Sequence, residues 1–158
     1  MKNKMLIALL FFTMILGSLS IYSCSAISYT KQAPDINEEA VVIEDDKILI
    51  DLERAIELKK IGGSVLVEKS PDQYLIIAHT DEDQYVVASS HCTHRGMALG
   101  YDQDTKTFRC SSFGKREFNL DGSVVDGSEE DALMIYNSSL EDNILTIDIE
   151  HDKSESKN

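Results

Sequence analysis

From residue 40 onward the chain is built from short apolar runs separated by turn residues. Residues 64–68 (SVLVE) and 143–150 (NILTIDIE) alternate apolar and polar residues at a period of two, which is typical of strands with one buried face. Residues 74–80 (YLIIAHT) and 85–89 (YVVAS) flank a short polar turn and predict a β-hairpin.

Further strands and a turn complete this pattern. Strands are predicted at residues 40–44, 47–52, 106–109 and 116–120, with one helical turn at 54–60. Asp121-Gly122 predicts a tight turn, since glycine tolerates positive φ. No long amphipathic helices lie between the strands, which disfavours a parallel α/β fold. We therefore expect residues 40–150 to form one all-β domain, a small antiparallel β-sandwich or barrel.

The N-terminus has the features of an export signal. Lys2 and Lys4 precede an apolar run at residues 5–16 that only Thr13 interrupts. The sequence IYSC at residues 21–24 then resembles the lipoprotein box of bacteria. In that interpretation residues 1–23 are a signal peptide and Cys24 carries the lipid.

The lipoprotein interpretation also assigns the ends of the chain. Residues 24–39 then form a flexible tether, and residues 151–158 a disordered tail. An uncleaved anchor helix is the alternative, because the apolar segment is about long enough to span a bilayer. Both interpretations place the domain outside the cytoplasm and predict a lipid-anchored or membrane-anchored protein of the bacterial cell envelope.

Charge excludes one class of partner. The chain has a formal net charge of −13, so nucleic acid phosphates repel it and we expect no nucleic acid binding. No nucleophile, base and acid form a catalytic constellation, so the sequence predicts no independent enzymatic activity.

Two similar segments carry the candidate chemistry. CTHRG (residues 92–96) and CSSFG (residues 110–114) each combine a cysteine with a glycine-supported turn after a strand. They resemble the paired C-x-H and C-x-x-H loops of the Rieske family, and fifteen residues separate His94 from Cys110. The surrounding residues are similar to the ferredoxin and oxygenase branch of that family. The resemblance implies a Rieske-type fold with two cluster-binding loops.

The resemblance also implies a ligand set. In this family two cysteines hold one iron of a [2Fe–2S] cluster and two histidines hold the other. Cys92, His94 and Cys110 occupy three of these positions, and Phe113 occupies the fourth. Phenylalanine has no lone pair to donate to iron. The other histidines, His79, His91 and His151, are expected to lie on the surface or to be hydrogen-bonded.

If no cluster is bound, the sequence predicts a different role for the two cysteines. Both bind one iron in the family, so the resemblance places their sulfur atoms close together, and an oxidising compartment favours a Cys92–Cys110 disulfide. Two alternatives stay open: both thiols persist, or Cys92, His94 and Cys110 hold a single zinc or iron ion with a water.

Two functional hypotheses follow. The first is a cluster-less binding or structural module of the envelope, in which the apolar tip at Phe113 docks a partner protein or packs over the disulfide. The absence of a twin-arginine pair before the apolar run supports it, since the general secretory route threads an unfolded chain. The second is a Rieske-type electron carrier or oxidoreductase component that holds its [2Fe–2S] cluster with an atypical or incomplete ligand set.

Overall fold

The computed structural model describes residues 32–93, 96–112, 116–127 and 131–149. These ranges contain eleven strands and two short 3-10 helices at Glu38–Ala40 and Ile56–Lys59. In chain order the strands are β1 (Val41–Glu44), β2 (Lys47–Asp51), β3 (Ser64–Ser70), β4 (Gln73–Asp81), β5 (Gln84–Ser89), β6 (Leu99–Asp102), β7 (Thr107–Cys110), β8 (Glu117–Phe118), β9 (Ile135–Tyr136), β10 (Ser138–Glu141) and β11 (Ile144–Asp148).

The strands form three antiparallel sheets. Their strand orders are β1-β2-β11-β10, β3-β4-β5-β9 and β6-β7-β8. All the named strands pair antiparallel, mostly through tight hairpins. The predicted all-β antiparallel fold is therefore confirmed.

The sheet β3-β4-β5-β9 is the centre of the molecule, and each of its faces packs against a different hydrophobic core. Leu75 and Ile77 of β4 belong to the core shared with β2 and β11, whereas Ile76 and Ala78 belong to the core shared with β6 and β7. A strand that is buried on both faces needs a continuous apolar run instead of an alternating one. This explains the sequence YLIIAHT.

His79 differs from its sequence expectation. Its side chain is only 7% exposed, and neither ring nitrogen has a hydrogen-bond partner among the described residues. It shares the face of Leu75 and Ile77, and its ring stacks on Tyr85 with centroids 4.5 Å apart. The expectation of a surface or hydrogen-bonded histidine is wrong here, because the alternation of β4 directs this position into the core.

Replacing His79 with phenylalanine is expected to raise the free energy of unfolding by about 1 kcal/mol. The substitution removes two buried nitrogens without partners and keeps a ring against Tyr85. Urea unfolding of the full-length chain measures the change. His91→Phe is the control, since it removes the 3.2 Å contact of His91 Nδ1 with the buried Ser90 Oγ and should not stabilise. A loss of stability in His79→Phe would contradict the assignment.

The folded domain begins before residue 40. Asp35 forms a parallel bridge with Leu66 of β3, and the N–H of Ile36 donates to the carbonyl of Leu66 at 2.9 Å. Ala33 is only 5% exposed. The predicted tether, residues 24–39, is therefore too long at its C-terminal end. The polar composition of these residues gave no sign of the pairing with β3, because backbone hydrogen bonds do not require apolar side chains.

The predicted turn at Asp121-Gly122 is present. Gly122 has φ +87°, and a Cβ at this position would lie 2.2 Å from the carbonyl oxygen of Leu133. The N–H of Leu133 donates to the Gly122 carbonyl at 2.8 Å. Only glycine allows this close approach, which fastens the segment around Leu133 to the sheet β6-β7-β8.

The N-terminal assignments remain predictions. No helix in the described part of the chain is long and apolar enough to cross a membrane. The predicted signal peptide (residues 1–23), Cys24 and the tail at 151–158 lie outside the described residues.

Candidate functional site

The two predicted cysteines lie at the ends of strands, in one hydrophobic core. Cys110 is the last residue of β7, and Cys92 follows shortly after the end of β5. Cys92 is 1% exposed and Cys110 is 5% exposed. Phe108 and Phe118, both fully buried, belong to the same core. The cysteines are therefore enclosed by apolar side chains.

Residues 97–99 run between the two cysteine-bearing segments. On one side the N–H of Cys92 donates to the carbonyl of Met97 at 2.8 Å. On the other side Leu99 pairs with Cys110 in the β6–β7 ladder. Residues opposite each other in an antiparallel ladder point to the same face. Cys92 lies opposite Met97 and Cys110 lies opposite Leu99, and Met97 and Leu99 share a face because they are two residues apart. Both cysteines therefore project to the same, buried face.

His91 projects to the opposite face. It forms an antiparallel bridge with Ala98 and is only half-buried. Successive side chains of an extended segment point to opposite sides, so the ring of His91 faces away from the side of Cys92. The backbone therefore does not place the His91 ring where it could replace the fourth ligand of the family.

Backbone hydrogen bonds close both loops. The N–H of Gly96 donates to the carbonyl of Cys92 at 2.8 Å, and the N–H of Cys110 donates to the carbonyl of Arg116 at 2.8 Å. The hydroxyl of Thr93 donates to the carbonyl of Asp131 at 2.9 Å, which links the first loop to the segment before β9. The predicted ligand His94 and the residue at the fourth ligand position, Phe113, lie outside the described residues.

Ser112 is a site residue that the sequence did not reveal. The thiol of Cys110 donates to Ser112 Oγ at 3.1 Å, and the N–H of Ser112 points back at the Cys110 sulfur at 3.5 Å. Ser112 is 8% exposed. Alternation after Cys110 could have identified it, because a residue two positions further along an extended segment returns to the same face. The N–H of Ser112 stabilises negative charge on the Cys110 sulfur, whereas the bond that the thiol donates is made only by the protonated form.

Ion pairs on the exposed face hold the strand that carries Cys110. Arg109 donates through Nε to Glu117 of β8 at 2.9 Å and also pairs with Asp102 of β6. The hydrogen bond with Glu117 is the main cause that raises the pKa of Arg109. The pKa of Asp102 lies below its ordinary value, chiefly because the backbone N–H of Thr105 donates to its carboxylate. Arg109 therefore links all three strands of this sheet.

A cleft borders the first loop, residues 92–96. Its volume is about 660 Å³, and its lining includes Lys69, Tyr74, His91, Cys92 and Tyr136. Among the described residues no group of three or more His, Cys, Asp or Glu side chains is placed to hold a metal ion. The predicted metal ligands are Cys92, His94 and Cys110. Because His94 lies outside the described residues, a metal site formed by these three side chains remains a prediction.

The two cysteines are not joined by a disulfide in the structure. The predicted Cys92–Cys110 bond therefore stays a prediction. The donor set itself tests the fit of a [2Fe–2S] cluster. Two buried cysteines on one face suit the iron that takes two thiolates. The other iron requires two nitrogens. If Phe113 stands at the fourth position, as the family resemblance predicts, only His94 remains for that iron and the residues do not supply the complete family ligation.

Comparison with known proteins identified a family and several solved structures of similar fold. The model of the Rieske [2Fe-2S] domain matches residues 50–137. The fold is similar to the crystal structure of the cyanobacterial plasma membrane Rieske protein PetC3 from Synechocystis PCC 6803, with 20% sequence identity and a TM-score of 0.48 over 58% of this chain and 91% of that chain. A search of curated proteins found no match.

Proposed function

Because this chain belongs to the Rieske [2Fe-2S] domain family, we propose that it retains the family fold without the cluster and serves as a binding or structural module of the bacterial cell envelope. The observation that carries the proposal is Phe113 at the fourth ligand position. A phenyl ring supplies no lone pair, so one iron would keep His94 as its only protein ligand. Fold alone does not fix function, and a site that has lost a ligand is free to take another role.

The visible spectrum of the full-length chain tests this proposal. A Rieske cluster absorbs in the visible range, whereas the polypeptide alone does not. We expect a colourless protein after native export and purification in detergent. A reddish-brown protein with stoichiometric absorbance would reject the cluster-less module.

The two cysteines take a structural role in this proposal. Both side chains lie on the buried face, and residues 97–99 run between the segments that carry them, so a bridge requires backbone movement that brings the two loops together. Their oxidation to a Cys92–Cys110 disulfide joins the first loop to the second in an oxidising compartment. The predicted export through residues 1–23 and the lipid on Cys24 supply that compartment and the membrane anchor.

Reduction of this disulfide is expected to lower the free energy of unfolding by about 3 kcal/mol. The bond joins two residues eighteen positions apart and restricts the unfolded chain. Urea unfolding with and without reductant measures the difference, and a Cys92→Ser/Cys110→Ser variant is the control because reductant should not affect it. Two reactive thiols from these positions in the denatured, non-reduced protein would contradict the bridge.

The proposed partner contact is at the tip of the domain. In the family the tip carries the histidines that face redox partners, and in this chain Phe113 would place an apolar group there. We expect a partner protein of the envelope to contact this tip. The acidic chain excludes nucleic acid from that role.

Electron transfer is the second candidate function. It is favoured by membership of a family that takes a [2Fe–2S] cluster and by the N–H of Ser112, which is directed at the Cys110 sulfur. Cys92 and Cys110 would hold one iron, and His94 would be a ligand of the other. A bound cluster would supply one-electron transfer. The residues of this chain would orient the sulfurs and exclude water, since both cysteines are buried.

A further inference from the structure

A groove lies between two sheet edges, away from the cysteine site. β1 is an edge strand of one sheet and β3 is an edge strand of another. The groove between them has a volume of about 550 Å³ and is lined by Val41 and Ile43 of β1 and by Val67 and Glu68 of β3. Ile43 is 51% exposed. The groove therefore combines an apolar floor with two strand edges.

Backbone groups point into this groove from β1. Val42 pairs with Leu49 and Glu44 pairs with Lys47, next to the two-residue turn that joins β1 to β2. This register directs the N–H and C=O of Val42 and Glu44 toward β2. The N–H and C=O of Ile43 consequently point out of the sheet, where no described residue accepts or donates to them.

The β3 edge is only partly covered. Leu66 accepts from Ile36 and donates to the carbonyl of Pro34. The chain then turns away into the 3-10 helix Glu38–Ala40. The outward backbone of Glu68, two residues further along β3, is left without a strand beside it in the described ranges. The two walls therefore offer hydrogen-bonding groups along the same channel.

The charge of the residues that line the groove indicates which kind of segment it would bind. Asp35, Glu38 and Glu68 line the groove, with Lys69 as the cation beside them. The whole chain carries −13. A second copy of the chain would bring acidic residues against acidic residues, whereas a basic segment would be attracted.

We propose that this groove binds an extended, alternately basic and apolar segment of a partner protein, which adds as a strand to the edge of β1. Backbone hydrogen bonds to Ile43 supply affinity, and one face of the added strand seats apolar side chains against Val41 and Ile43. Basic side chains reach Glu38 and Glu68 on the rim. This surface is independent of the cluster question and adds to the proposed function.

Binding of synthetic peptides to the full-length chain in detergent tests the proposal. Fluorescence anisotropy of a labelled peptide that alternates lysine and valine should report binding. A peptide of equal charge that alternates lysine and serine should bind at least about tenfold more weakly, because it lacks the apolar face. A peptide that alternates glutamate and valine should not bind.

Two matched variants locate the site. Ile43→Ser should weaken binding of the lysine–valine peptide by about tenfold or more, whereas Val42→Ser should change it less than about twofold. Val42 is exposed to a similar extent, 53%, on the other face of the same strand, so both variants remove a similar apolar side chain and neither places a positive charge beside the lysines of the peptide. Unfolding curves confirm that both fold.

Three results would overturn the proposal. They are absence of binding by the lysine–valine peptide, equal loss in both variants, and a dimer of the chain that Ile43→Ser dissociates. The last result would assign the groove to a second copy of the chain.

Discussion

Replacing Phe113 with histidine should give a chain that holds about two irons and two acid-labile sulfides after anaerobic reconstitution, as a complete Rieske site does. The substitution supplies the missing nitrogen at the second iron. Reconstitution begins with reduction of the proposed Cys92–Cys110 disulfide, after which both thiols lie on one buried face. Iron and sulfide analysis and the visible spectrum measure the gain.

Phe113→Leu is the matched control for this experiment. It changes the same side chain without adding a donor, and should resemble the unmodified chain with well under one iron per chain. If Phe113→His binds no more iron than Phe113→Leu while remaining folded, the absent ligand does not limit cluster binding. If the unmodified chain binds as much iron as Phe113→His, the fourth ligand is not required.

Replacing Phe108 with alanine should lower the free energy of unfolding by about 4 kcal/mol. Phe108 is fully buried in the core that contains both cysteines, and its ring lies 5.7 Å from that of Tyr101. The substitution removes a large apolar surface and leaves a cavity between the central sheet and the sheet β6-β7-β8. Thermal unfolding of the full-length chain should show a midpoint lowered by more than about 10 °C.

Ile56→Ala is the control for the Phe108 variant. Ile56 is 70% exposed, so its truncation should change the free energy of unfolding by less than about 0.5 kcal/mol. A similarly small effect from Phe108→Ala would contradict the packing of the sheet β6-β7-β8 against the sheet β3-β4-β5-β9. It would also contradict the buried environment described for Cys92 and Cys110.

Much of the fold was predictable because most strands carry their own periodic pattern. The alternation in residues 64–68 and 143–150 corresponds to β3 and β11, and the predicted hairpin corresponds to β4 and β5. The helical turn expected at 54–60 corresponds to the 3-10 helix Ile56–Lys59.

The strands that the sequence did not predict depend on tertiary pairing. β6 (Leu99–Asp102) contains Gly100 and shows no alternation, yet it pairs along its length with β7. β9 has only two residues, which pair with β5. β10 begins with Ser138 and Ser139 and is held by β11. Such segments become strands because a neighbour satisfies their backbone groups, and this information is not local.

The site was predictable in its residue types but not in its contacts. The motifs identify Cys92, His94, Cys110 and Phe113, and the structure brings the two cysteines into one core. The hydrogen bonds of Ser112 with Cys110 arise from the path of the second loop. Serine is a common surface residue, so its type alone gave no reason to expect burial.

Iron and acid-labile sulfide content of the natively exported full-length chain, with the electron paramagnetic resonance spectrum of its reduced form, tests the central claim most directly. The claim is that Phe113 leaves the site without a Rieske cluster. We expect far less than one iron per chain and no Rieske-type resonance. About two irons per chain together with that resonance would contradict the claim and assign the protein to electron transfer.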